Sequence, residues 1–392
     1  MGNIFSDRIS DVPRSFIREI LKVAIDESVI SFAGGLPNRD LFPVREIHAA
    51  ADKLLDESGK DILQYSSSEG DRELREWIAE RYRTKRDVII HPDNILITTG
   101  SQQGLDLLGK TFLNEGDDVI IEEPGYLGAI QAFSIYRAAF HPVPVGPAGI
   151  DTKILKRAMS AFRSKLFYCV PNFQNPSGTS YSRENRMNVA DIVKGSDTIL
   201  IEDDPYGELR FTGSEKPSFL RLLERNTVLL GSFSKIVAPS FRIGWTVAGE
   251  EIMDKLIIAK QASDLHTSYL CQRVVLQYLK DNDIDAHIAL IRKAYGKQRD
   301  AMIAAIRQHF PEEAQYTRPE GGMFLWVTLP ERLSAMEVFR HAIECKVAFV
   351  PGDPFYVNRK NAHTLRLNFS SVDEEAIWTG IRRLGELLKT LV

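Results

Sequence analysis

Cysteine is scarce in this sequence: three of 392 residues, at positions 169, 271 and 345. They are too far apart for metal-ligand spacing and too few for a disulfide framework. A reducing compartment suits such a chain, and Cys169, inside the apolar run Leu166–Val170, reads as a packed thiol. Excess charge of one sign is also lacking. The 49 Lys and Arg stand against 53 Asp and Glu, a formal net charge of -4. That balance argues against a dedicated nucleic-acid or anionic-membrane surface, while leaving room for a local basic pocket. No apolar run approaches the ~18–20 residues of a membrane helix. Asp7, Arg8, Asp11 and Arg14 precede any apolar stretch, so the first residues have no secretory pattern. The cytosol is the expected location. No internal repeat or low-complexity tract stands out.

What is present is a series of short apolar runs: Ile95–Ile97, Val119–Ile121, Leu166–Val170, Thr198–Ile201, Val228–Leu230 and Trp245–Ala248. Most are flanked by Gly, Pro, Asn or Asp, and helical patterns separate many of them. Continuous apolar strands between helices predict a mainly parallel sheet buried on both faces. Five polar segments follow these runs directly: Gly100-Ser101, Glu122–Tyr126, Asn172–Gly178, Asp203–Tyr206 and Ser232–Lys235. Open α/β sheets bind ligands at the carboxyl ends of their strands. Beyond about Ile252 the pattern becomes mostly helical as far as Phe310, then short strands and a helix predict a smaller α+β domain. Near the start, Phe16, Ile17, Ile20, Leu21 and Ala24 have helical spacing, which predicts an amphipathic helix over Ser15–Ile25.

The polar segments carry the chemistry, although each has a plainer reading when taken alone. Lys235, in Ser232-Phe233-Ser234-Lys235, offers an amine that can form an imine with an aldehyde; by itself the tetrapeptide reads more readily as a solvated loop. Nearby hydroxyls and Arg242 can hold a phosphate. Asp203, in Glu202-Asp203-Asp204-Pro205-Tyr206, ends an apolar run where a carboxylate can pair with a pyridine nitrogen. Asp-Asp-Pro is also ordinary turn chemistry, and one aspartate can be a helix cap. Asn175 can donate to a phenolate oxygen, as Tyr206 can reach one. The Gly100-Ser101-Gln102 turn opens a helix and exposes N–H groups suited to a phosphate. It is not read as a Walker A loop, and an N-capped helix is its plain reading. Tyr126 can stack on an aromatic ring. Arg366 lies in the alternating strand Leu365–Phe369 and needs an anionic partner, either a substrate carboxylate or a structural ion pair.

In this order, Asn175-Pro176-Ser177-Gly178, Asp203-x-x-Tyr206, Ser232-x-Ser234-Lys235 and Arg242-x-Gly244 resemble the class I aminotransferases of the fold-type I pyridoxal 5′-phosphate (PLP) enzymes. The resemblance covers nearly the whole chain; Ser177 stands where many members have Thr. It implies an α/β fold: a large PLP-binding domain (46–285) with a mainly parallel seven-stranded sheet between helices, a small α+β domain (286–392), and an N-terminal segment (1–45) that closes the active site. It implies that Lys235 is the Schiff-base lysine and proton shuttle, and that Asp203 is the pyridinium partner. Asn175 and Tyr206 become ligands of the ring hydroxyl, Tyr126 the stacking aromatic, and Gly100, Ser101, Gln102, Ser232, Ser234 and Arg242 the phosphate cup. Arg366 becomes the α-carboxylate clamp. Tyr65 would reach the neighbouring subunit's phosphate, so a homodimer with shared active sites is expected.

A narrower resemblance rests on Ser15–Leu21, Ser31–Pro37, Gln64–Ser66 and Val350–Phe355. These are similar to the 2-aminoadipate/kynurenine aminotransferase group, and also to the aminotransferase-like domain of some bacterial transcription regulators. It implies an N-terminal helix over the substrate, with Arg18 meeting an acidic side chain and Gly35 lining the pocket. The expected reaction moves an amino group from an L-amino acid (2-aminoadipate, aromatic, branched-chain or glutamate-like) to a 2-oxo acid such as 2-oxoglutarate. Two rivals are a PLP β-lyase on the same frame and a non-catalytic effector-binding domain. The second needs a preceding DNA-binding domain, for which a pattern starting at about Ser15 leaves no room. No metal, nucleic-acid or membrane partner is expected.

Overall fold

The apolar runs become strands because each is short, continuous and bounded by turn residues. In the computed structural model, which describes residues 4–10, 12, 26, 28–223, 225–358 and 361–392, they join one large sheet. Its strands are β1 (Ile95–Thr99), β2 (Asp118–Glu123), β3 (Ala139–Gly146), β4 (Gly149–Ile150), β5 (Leu166–Cys169), β6 (Ile199–Asp203), β7 (Thr227–Ser232) and β8 (Ile243–Val247), in the order β1-β8-β7-β6-β5-β2-β3-β4. The central pairs are parallel. Strand β8 runs against both neighbours, and the two-residue β4 adds an antiparallel edge beyond the seven principal strands. Strand β3 was not among the apolar runs. Its Pro142 and Pro144 obscure it, and they are tolerated because β3 lies next to the sheet edge.

Helices α1 (Val44–Ile62), α2 (Ser101–Phe112), α3 (Glu250–Gln261) and α4 (Tyr269–Asp281) belong to the large domain. Helix α2 starts directly after β1 and buries Leu105, Leu107 and Leu108. Residues Gly104–Thr111 spell Gly-x-x-x-x-Gly-Lys-Thr, the P-loop pattern. They form helix interior, with no loop to wrap a phosphate.

The small domain contains α5 (Ile284–His309), α6 (Ala335–Glu344) and α7 (Glu374–Leu391). Its antiparallel sheet has the order β9 (Gln315–Tyr316), β10 (Phe324–Thr328), β12 (Thr364–Asn368), β11 (Val350–Pro351). The N-terminal segment joins this domain. Ile30 and Ser31 pair in parallel with Val347 and Ala348, and Phe32 O accepts from Asn368 N at 2.9 Å. The expected Ser15–Ile25 helix and Arg18 lie outside the described residues. Among the described residues, no helix is long and apolar enough to cross a membrane.

Candidate active site

Strands β1, β2, β5, β6 and β7 point the same way, so the five polar segments that follow them meet at one edge of the sheet. There Ser101, Gln102, Tyr126, Asn175, Asp203, Tyr206, Ser232, Ser234, Lys235 and Arg242 line a cavity of about 360 Å³. The N-terminal segment and small domain close it with Gly35, Phe324 and Arg366. Such a volume accommodates a small ligand.

Lys235 ends a turn of 3₁₀ helix that follows β7. Its Nζ donates to Gly35 O at 2.9 Å. Burial, reinforced by the positive charges of Arg366 and Arg242, draws its pKa down to about 8. A buried amine with that pKa is a usable base and nucleophile near neutral pH.

Asp203, 2% exposed, ends β6. Tyr168 donates its hydroxyl to Oδ2 at 2.7 Å, while the buried Oδ1 has no hydrogen-bond partner among the described residues. Burial raises the carboxyl pKa to about 7 despite the Tyr168 bond, and Asp204 adds repulsion. A buried carboxylate oxygen without a donor is costly, and a protonated heterocyclic nitrogen is the kind of group that would satisfy it. The adjacent Asp204 is committed elsewhere: it accepts from Asn172 Nδ2 at 2.9 Å and lies 3.8 Å from Arg86.

The anion-receiving end is built from two approaches. Gly100 caps α2 with φ +72°, and a Cβ there would fall 2.4 Å from Arg242 Nη2. Only glycine lets the guanidinium lie over this turn. Gly244 likewise admits Ser101 N, which lies 2.6 Å from where its Cβ would be. Ser232 Oγ donates to Ser234 Oγ at 2.9 Å and accepts from Ser234 N at 3.1 Å. Two hydroxyls, an arginine and a helix N-terminus together suit a phosphate.

Arg366 sits in β12, 2% exposed. Nη1 donates to Asn175 Oδ1 at 2.8 Å and Nη2 to Ala33 O at 2.7 Å. Its guanidinium carbon lies 4.3 Å from the centroid of the Phe324 ring and 5.3 Å from that of Phe355. Burial brings its pKa down to about 10. Nε has no partner, and no carboxylate pairs with Arg366 among the described residues. The structural ion pair weighed for it is therefore absent there, and a ligand carboxylate would answer the charge. Because Asn175 Oδ1 is held by Arg366, its amide N–H groups remain as donors.

Tyr206 is buried, its ring edge-on to Phe324 at 5.9 Å, and burial pushes its hydroxyl pKa well up. Tyr126 has its pKa raised to about 12, mainly by burial. Gln102 Nε2 donates to Gly128 O at 2.9 Å. Two described candidates do not line the cavity: Gly100, which sits in the turn just before Ser101, and Tyr65, which is 79% exposed and stands edge-on to His266 at 5.7 Å. Sequence reasoning missed Tyr168, hidden inside an apolar run, and the phenylalanines around Arg366. Nothing local marks either; their partners are distant in the chain.

The class I and II aminotransferase family matches residues 28–384. The 2-aminoadipate transaminase of Thermus thermophilus is 42% identical over 385 residues, 97% of this chain and 95% of the relative. Aromatic-amino-acid aminotransferase 1 of Thermococcus litoralis is 39% identical over 391 residues, 98% and 94% of the two chains. Among solved structures, the α-aminoadipate aminotransferase LysN of Thermus thermophilus, complexed with N-(5′-phosphopyridoxyl)-L-leucine, superposes with a TM-score of 0.92 at 41% identity, covering 99% of this chain and 97% of the other.

Proposed function

The chain belongs to the class I and II aminotransferase family and is a PLP-dependent transaminase; on that premise we propose that it moves the amino group of L-2-aminoadipate, or of aromatic, branched-chain or glutamate-like L-amino acids, to a 2-oxo acid, 2-oxoglutarate foremost, in ping-pong order. The observation that carries the site assignment is one cavity holding a lysine with a pKa near 8 and a buried aspartate with an oxygen unpaired among the described residues. The named relatives support the donor classes of 2-aminoadipate and aromatic amino acids.

When bound, the cofactor ring takes up the electron pair left at the substrate Cα. The other tasks fall to the chain. Asp203 Oδ1 holds the proton at the pyridine nitrogen, and Tyr168 keeps the carboxylate oriented. Asn175 and Tyr206 donate to the ring hydroxyl, and Tyr126 covers the ring face. Ser101, Gln102, Ser232, Ser234, Arg242 and the Gly100 turn hold the phosphate. Arg366 clamps the α-carboxylate beside Asn175. Lys235 would hold the cofactor covalently, and its Nζ, when free, would be the base that moves the substrate Cα proton. Gly35 lines the substrate pocket and Arg18 meets an acidic side chain. Tyr65 acts across a homodimer interface, a role that suits an exposed tyrosine outside its own cavity. We place the protein in the cytosol, with domain boundaries at 45/46 and 285/286, each falling within the first turn of a helix, α1 and α5.

Lys235→Ala is expected to lose both the visible absorbance of bound cofactor and turnover. Normal transamination by that variant would sink the assignment. A panel of amino donors against 2-oxoglutarate ranks the substrates.

A further inference from the structure

An ion pair between a buried lysine and a partly exposed aspartate lies behind the anion-receiving turn, and none of the proposed chemical steps uses it. Lys260, in the last turn of α3, has a fully buried side chain. Its Nζ lies 2.7 and 2.8 Å from the two carboxylate oxygens of Asp264, 2.7 Å from Gln103 Oε1 and 2.8 Å from Thr267 Oγ1. Burying an ammonium is costly, and an apolar side chain of similar size would hold a helix in place as well. Packing alone does not explain these contacts.

Their destination does. Gln103 Oε1 also accepts from Thr99 N at 2.8 Å. Asp264 Oδ2 accepts from Thr99 Oγ1 at 3.0 Å and from Gln103 Nε2 at 2.7 Å. Thr99 and Gln103 are the residues on either side of Gly100-Ser101-Gln102. The pair thus ties both ends of the turn to each other and to α3. An arginine must approach Gly100 where a Cβ would not fit, so a small shift of the turn changes how the two halves face an anion.

We infer that Lys260 and Asp264 are positioning residues that hold the Gly100–Gln102 turn in the geometry that receives the cofactor phosphate. The inference rests on the proposed phosphate role of that turn. It predicts a defect confined to the phosphate. PLP and pyridoxal differ in that group, so their affinity ratio reads the effect apart from general damage to the site.

The test measures PLP and pyridoxal binding by absorbance, and PLP release from the holoenzyme, for Lys260→Met/Asp264→Leu. This double change removes both charges together and so leaves no buried ammonium without its carboxylate. PLP affinity is expected to fall tenfold or more, with faster PLP release, while pyridoxal affinity stays within twofold. A folded double variant with the wild-type ratio, or one that weakens both ligands equally, overturns the inference. If the double variant does not fold, Thr99→Val removes one Asp264 bond and leaves the ion pair; a ratio threefold lower is expected, and an unchanged ratio overturns the inference. Arg242→Ala serves as the separate arm. If its ratio is also unchanged, the phosphate assignment of the site has failed as well; if only its ratio falls, the failure belongs to the ion pair.

Discussion

Two adjacent carboxylates end β6, and they meet opposite treatment on the two faces of the sheet. Glu202 is well supplied: Ser218 Oγ, Phe219 N at 2.8 Å and Leu220 N at 3.4 Å all donate to Oε2, and Arg186 Nη1 lies 3.8 Å from Oε1. Asp203 has Tyr168 on one oxygen and nothing on the other among the described residues. The arginines repeat the contrast. Arg186 donates to the carbonyls of Tyr181, Pro217 and Pro171 and to Asn172, whereas Arg366 keeps a buried Nε without a partner among the described residues. Burial is similar on both faces. What separates scaffold from site is whether the polar capacity of a buried group is used up within the chain.

That contrast can be broken most readily at β6 itself. Asp203→Asn should lower turnover about 10³-fold or more, ~4 kcal/mol at the transition state, in a folded protein. Glu202→Gln should instead cost roughly 1–3 kcal/mol of stability through mismatched buried bonds, with turnover per folded molecule nearly unchanged. Equal losses of turnover in the two variants would erase the distinction. The arginines give a smaller catalytic effect. Arg366→Ala is expected to lower kcat/KM about 100-fold for every amino donor, ~2.7 kcal/mol, with the melting temperature kept. Arg186→Ala should destabilise the fold by about 3–5 kcal/mol, since it strands Glu202. Donor-dependent losses for Arg366→Ala would count against a role at the α-carboxylate.

The smallest effect is a pH dependence. The folded pKa of Asp203 is raised from 3.8 to about 7, so folding takes up a proton between those values. The neutral carboxyl's contribution is present in full below about pH 4 and is lost as pH rises through about 7. Apoprotein carrying Asp203→Asn should therefore match wild type near pH 4 and gain roughly 1–3 kcal/mol above pH 7. Tyr168→Phe removes the bond that lowers this pKa, so the window should move to higher pH. Chemical denaturation across pH reads both; a gain that grows towards acid has the wrong sign for a raised carboxyl.

The sheet was legible because parallel strands buried on both faces must be short and continuously apolar, and the site because Ser, Asn, Asp and Lys follow such runs immediately. Strand β3 was not, since two prolines hide an edge-proximal strand. The choice between Asp203 and Asp204 was open in sequence. It is decided by alternation: one side chain enters the cavity and the other turns to Asn172 and Arg86. Tyr168 was invisible because its partner lies 35 residues on. Lys260 and Asp264 look like an ordinary i,i+4 surface pair until Thr99 and Gln103, more than 150 residues away, are brought against them.

The reversed strand β8 has a kinetic consequence. It pairs with β1, setting Thr99 opposite Ile243 and Thr98 opposite Gly244. The two halves of the anion cradle, the turn after β1 and Arg242 before β8, therefore meet only when this long-range ladder closes. Contacts so distant in sequence form slowly. A newly made chain then has no such cradle until its central sheet is assembled, and on the proposed phosphate role a cofactor would bind only the completed fold. From that moment it adds its binding free energy to the finished protein alone.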